Sequence, residues 1–188
     1  MKTIKIGLMC FFAFALIVCG CAVTPKKSKE KVILSIDSNE AVTVMKEKDS
    51  SLQKFFDKSY GYAVLPKVFK GAFIAGGAYG KGEVYEQNKM VGYCDMKQAT
   101  LGFSFGGEFF REIVFFRDKE DLDKFKSGEF TFSAQVTGVA LTAGAAAKAD
   151  YKAGMAVFIA TDSGLMVDAS LGGQKFNYES KPILKKVQ

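Results

Sequence analysis

Hydrophobic and polar positions fall into three regimes along the chain. From Asp37 onward the spacing is helical: Asp37 or Ser38 stands where an N-cap would, and Ala41, Val44 and Met45 form an apolar stripe. A second start follows at "DSSLQKFFDKS". Ser50 with Gln53 fits a capping box, and Leu52, Phe55 and Phe56 supply the buried face. The pattern predicts two short amphipathic helices, or one broken near Lys48–Asp49. After Tyr60 the period becomes two. "GYAVLPKV" is a short β-branched run whose Pro66 suggests a strand end.

In "GAFIAGGAYGKGEVYEQ", alternation puts Ala72, Ile74, Gly76, Ala78, Gly80 and Gly82 on one strand face. A face so nearly free of side chains implies close packing against it or a sharp bend. "ATLGFSFGGEFF" places Leu101, Phe103 and Phe105 on one face and Thr100, Gly102, Ser104 and Gly106 on the other, and "REIVFFRD" continues the strand to Asp118. "DKEDLDKFKSG" reads as a short helix capped by Asp118, acidic in its first turn and closed by Gly128. In "FTFSAQVTG" the alternation places Phe130, Phe132, Ala134 and Val136 inside. "LTAGAAAKADYKAG" fits strand or loop. "MAVFIAT", "LMVDASL" and "KFNY" predict three strands separated by turns at Asp162-Ser163-Gly164 and Gly172-Gly173. The expected fold is a β-rich α+β domain: a curled antiparallel sheet, barrel- or sandwich-like, with two N-terminal helices and one inserted helix.

The third regime is the N-terminus. Lys2 and Lys5 precede an apolar run, Ile6–Val18, broken only by Gly7. It is shorter than the roughly 20 residues a spanning helix needs and fits the h-region of a signal peptide. Val18-Cys19-Gly20-Cys21 resembles the bacterial lipobox. That resemblance implies cleavage after Gly20, a diacylglyceryl thioether on Cys21, and loss of Cys19 with the leader. Multiple acyl chains on one residue give durable anchoring, where a single chain does not. Domain boundaries follow: a signal peptide over 1–20, a lipidated basic tether over 21–32, a domain over 33–180 and a basic tail over 181–188. Because Ala22, rather than aspartate, follows the cysteine, the resemblance points to the periplasmic face of an outer membrane.

Charge changes the picture less than its total suggests. The chain carries 26 basic and 20 acidic residues. The excess sits at the ends, in Lys2 and Lys5, in Lys26, Lys27, Lys29 and Lys31, and in Lys181, Lys185 and Lys186. The body is close to neutral, which argues against nucleic-acid binding as its task. With Cys21 lipidated, Cys94 has no disulfide partner and reads as a small buried hydrophobe, with a reactive thiol the lesser reading.

No catalytic constellation emerges. The chain has no histidine, so Ser-His-Asp and Cys-His mechanisms are excluded, as are the commonest zinc sites. "GGAYGKG" fails the Walker pattern, because Gly82 follows Gly80-Lys81 and Ala75 stands where the first glycine belongs. The expectation is a non-enzyme without cofactors.

The runs "GYAVLPKVFKGAFIAGGAYGKGEVY", "ATLGFSFGGEFFREIVFF", "DLDKFKSGEFTF" and "GLMVDASLGGQKF" resemble, in order, the SYLF domain, over about Leu52 to Tyr178. The resemblance implies a lipid-binding module. Eukaryotic members bind phosphoinositides, and some bundle actin; bacterial members are often secreted or lipid-anchored. It makes Lys67, Lys70 and Lys81 candidates for anionic phospholipid head groups, with apolar insertion through exposed members of Phe109, Phe110, Phe115 and Phe116. The partner expected is therefore the membrane. The alternatives are an envelope lipoprotein that binds a protein partner with no lipid affinity beyond its anchor, and a small barrel carrying an apolar ligand.

Overall fold

A computed structural model of the chain describes Pro25 and residues 27–72, 75–128, 131–132 and 139–181. At 72, 75, 100–105, 131–132 and 163–172 it describes the backbone alone. Cys21, the signal segment, Ile74 and the Phe130, Ala134 and Val136 positions lie outside the described residues.

The fold is α+β. Helix α1 spans Ser28–Lys48, a 3-10 turn follows at Ser50–Leu52, and α2 spans Gln53–Lys58. Strands β1 (Gly61–Ala72), β2 (Ala75–Glu86) and β3 (Lys89–Phe116) come next, then α3 (Lys119–Ser127). The chain continues with the two-residue strands β4 (Thr131–Phe132) and β5 (Val139–Ala140), then α4 (Ala145–Lys148), and closes with β6 (Met155–Ser180). The small-residue segment thus holds a short helix rather than simply strand or loop.

Helix α1 begins nine residues before Asp37, inside the segment expected to be tether. Asp37 and Ser38 lie within it rather than capping it, and Ser38 is buried. The cap at the next start is Asp49, whose carboxylate accepts from the Ser51 amide at 3.0 Å. The inserted helix α3 follows its local signals: the Asp118 carboxylate accepts from the Asp121 amide, and Gly128 closes the helix at φ 73°.

The sheet runs in the order β1-β2-β3-β6-β4, with β5 joined parallel to β6 as the one departure from antiparallel pairing among the described residues. Strand β3 changes neighbour along its length. Residues 89–101 pair with β2, residues 106–116 pair with β1, and β1 also pairs with β2. The pairing therefore wraps around these three strands, although the sheet as a whole is not closed into a barrel. The change of neighbour falls beside Gly106, whose φ of 120° favours glycine. The close-packing expectation holds on β2. A Cβ on Gly80 would lie 2.7 Å from Val68 Cγ2, and one on Gly82 would overlap the Val64 carbonyl oxygen.

Strand boundaries differ from the sequence pattern in four places. The face expected to run from Ala72 to Gly82 on one strand is divided between β1 and β2, with Ala72 opposite Gly76. Strand β3 begins at Lys89, ahead of the expected strand at Ala99, because its first half pairs with β2. Strand β6 is continuous through both expected turns because β3 pairs with it from Gly92↔Ser180 to Phe116↔Met155, with one register shift at Phe109/Phe110. The strand does not reverse at either glycine position. Strand β1 likewise does not end at Pro66; it passes through a bulge there and continues to Ala72.

Apolar side chains pack on both sides of the sheet. Inside the curl, Val68, Met96, Val114, Phe116 and Phe176 pack with Leu122 and Phe125 of α3. Outside it, Val64, Ile113, Phe115 and Phe158 pack with Ala41 and Met45 of α1 and with Leu52, Phe55 and Phe56. Cys94 is fully buried in the inner core, and burial pushes its thiol pKa up. It behaves as a hydrophobe.

Candidate functional site

The bulge at Pro66 decides which way the next residues point. Leu65 and Val68 both enter the inner core. Without the bulge, strict alternation would place Lys67 beside Leu65. With it, Lys67 and Phe69 face outward, where Lys67 is exposed and Phe69 is 50% exposed. Their cross-strand partners share that face: Phe69 opposes Tyr79 on β2 and Phe109 on β3, and Lys67 opposes Lys81. The Phe69 and Phe109 rings are 5.1 Å apart. Tyr79 and Phe109 are each 36% exposed. A row of three partly exposed aromatic rings thus crosses β2, β1 and β3.

The shift between β3 and β6 works in parallel. Phe109 opposes Ser163 and Phe110 opposes Thr161, so Asp162 is the extra residue on β6. Its carboxylate meets the Arg111 guanidinium, which also reaches Glu40 of α1 at 3.4 Å. Pro66, Lys67, Phe109, Arg111 and Asp162 form one wall of a cleft of about 400 Å³, and Asp37 and Glu40 of α1 form the other. The Lys67 ammonium sits 5.1 Å from the centre of the Phe109 ring and has no carboxylate partner among the described residues. The Asp37 side chain has no hydrogen-bond or ion-pair partner among them either.

A second, smaller cleft of about 260 Å³ adjoins the first through Asp37; Pro25, Glu30, Ile33, Leu34 and Lys81 complete its lining. Helix α1 also exposes Val32, Ile33 and Ile36. Charged side chains of the first cleft thus stand between the aromatic row and these apolar residues of α1.

The three sequence-nominated lysines do not form one cluster. Lys67 is exposed at the cleft, and Lys81 is half-buried across the strand pair from it. Lys70 is directly opposite Glu108 and pairs with it at 4.0 Å. Alternation from Phe69 turns Lys70 to the inner face, so it is not placed for a ligand at the cleft. Of the four nominated phenylalanines, Phe110, Phe115 and Phe116 are core and Phe109 is the partly exposed one. Asp37, Glu40, Arg111 and Asp162 were not legible as site residues, because only the two register shifts and the path of α1 bring them together.

A separate polar group lies inside the curl. Glu112 is fully buried; one carboxylate oxygen accepts from Gln174 Nε2 at 3.2 Å, and the other has no hydrogen-bond partner among the described residues. Burial raises its pKa to about 7. No group of three or more His, Cys, Asp or Glu side chains arranged to hold a metal occurs among the described residues. No helix among them is long and apolar enough to cross a membrane.

Comparison with known proteins finds beta cell expansion factor A of Aeromonas veronii, 30% identical over 156 residues that make up 81% of this chain. The chain spans 59% of that protein's length. No protein-family model matches the chain. The relative's name describes an outcome, the expansion of beta cells, and specifies no chemistry.

Proposed function

We propose that this chain is a lipid-anchored cell-envelope protein, held by Cys21, whose SYLF-like domain binds phospholipid without catalysing a reaction. The observation that carries the reading is the exposed aromatic row of Phe69, Phe109 and Tyr79 with Lys67 beside it. Aromatic side chains next to a cation suit the boundary between head groups and acyl chains. Burying the exposed half of Phe69 in that layer contributes about 1 kcal/mol. Lys67 adds a salt-sensitive attraction of about 1 kcal/mol on an anionic leaflet. The geometry is compatible with the proposed anchor. Six residues lie between Cys21 and Ser28, a span of about 25 Å when extended, and α1 borders the same face. The resemblance to SYLF domains supports the reading independently of the geometry.

Co-sedimentation of residues 22–188 with neutral and anionic vesicles at two salt concentrations tests it. This chain lacks the anchor and retains all of α1. Binding is expected to both compositions, stronger and more salt-dependent on anionic vesicles. Phe69→Ser should weaken binding about fivefold on both, and Lys67→Glu should weaken it most on anionic vesicles. Failure to bind either composition would leave the domain as a protein-binding module tied to the membrane by its anchor alone.

A further inference from the structure

The cleft between α1 and the sheet is not a basic patch. It presents Lys67 and Arg111 together with Asp37, Glu40 and Asp162. Arg111 is engaged by two of those carboxylates. One cation, Lys67, and one carboxylate, Asp37, line the cleft without an ion-pair partner among the described residues. A ligand complementary to that remainder carries one negative and one positive charge.

We propose that the cleft takes a phosphoethanolamine head group, with the phosphate on the Lys67 ammonium and the primary ammonium on the Asp37 carboxylate. The inference rests on the phospholipid reading above and names its ligand. The volume suits a small polar group, and the adjacent rings of Phe109 and Phe69 give the acyl chains an apolar exit. A phosphoglycerol head group would satisfy Lys67 but leave Asp37 without a counter-charge. A choline group would supply the charge, but its quaternary ammonium has no N–H to donate to Asp37.

The test uses residues 22–188 and vesicles of phosphatidylcholine alone, phosphatidylcholine with phosphatidylethanolamine, and phosphatidylcholine with phosphatidylglycerol. Binding to the ethanolamine vesicles should be roughly tenfold tighter than to phosphatidylcholine alone, the effect of one hydrogen bond between charged groups. Asp37→Asn should remove most of that preference. Lys67→Gln should weaken binding to the ethanolamine and choline vesicles together, since both carry phosphate. Soluble glycerophosphoethanolamine should compete if the head group suffices; competition only by intact lipid would assign the site to a membrane-embedded ligand. An ethanolamine preference that survives Asp37→Asn would reflect looser lipid packing and overturn the assignment. Equal binding to ethanolamine and choline vesicles would overturn it while leaving the phospholipid reading intact, whereas no binding to any vesicle would remove both.

Discussion

At the scale of single residues, Glu112 is the side chain whose environment most disagrees with its chemistry. Alternation along β3 puts it on the same inner face as the core residues Phe110 and Val114, with Gln174 as its hydrogen-bond donor. A carboxyl in such a place is held in its neutral form. Its pKa stands at about 7 against an ordinary value of 4.5. The linkage has a definite sign: the protonated carboxyl is favoured by the fold, so its stabilising contribution is full below about pH 4.5 and is lost as pH rises to about 7. Above that the buried charge costs at most about 3 kcal/mol. Glu112→Gln removes the titration while keeping the size and an acceptor for Gln174. Urea unfolding at pH 5 and pH 8 should show the wild-type chain weakening more than the variant across that interval. The variant should be the more stable of the two at pH 8. Parallel pH profiles for the two proteins would contradict this account.

At the scale of elements, Asp49 joins parts of the chain that sequence keeps far apart. Besides capping the 3-10 turn through Ser51, its second carboxylate oxygen accepts from the Ala146 amide at 2.7 Å, which ties the α1–α2 junction to α4. Burial alone would raise its pKa, but the hydrogen bonds from Ser51 and Ala146 outweigh that and lower it. Asp49→Ala should therefore destabilise the fold by about 1–3 kcal/mol at pH 7. The penalty should shrink in acid, because the wild-type carboxylate also loses its advantage as it protonates; chemical denaturation at pH 7 and pH 3 would show the convergence. Asp49 also marks what could be read in advance. Local chemistry was legible: the α3 cap at Asp118, its closing Gly128 and the close-packed glycines of β2 follow from neighbouring residues. The start of α1 was not, because Val32, Ile33 and Ile36 lie on its exposed side and disturb the apolar stripe that marks a packed helix. Nor was the continuity of β6, since Gly172-Gly173 resembles a turn until β3 is found to pair straight through it. The cleft was least legible of all. Lys67 lies in the "GYAVLPKV" run, but its outward direction depends on the Pro66 bulge, and Asp37, Arg111 and Asp162 come from three other elements.

At the scale of the whole molecule, the sheet separates two surfaces of different character. Helix α3 covers the inner core with an exposed side of alternating charges, Lys119 with Asp123 and Lys124 with Glu120. On the outer face, α1 borders the aromatic row and the cleft. A charged helix face resists entry into the interfacial layer, whereas exposed rings favour it, so the proposed phospholipid contact should be made by the outer face. The chain contains no tryptophan, which makes one introduced tryptophan an unambiguous reporter. Phe69→Trp places an indole in the aromatic row, and Lys124→Trp places one on the exposed side of α3. Adding vesicles should blue-shift the emission at position 69 and expose it to quenching by bromine on the upper acyl chain, while emission at position 124 stays in water. Far-ultraviolet circular dichroism matching the wild-type chain would establish that both variants are folded. Quenching at both positions would mean that the domain embeds without preferred orientation. Quenching at 124 alone would reverse the orientation and separate the aromatic row from membrane contact.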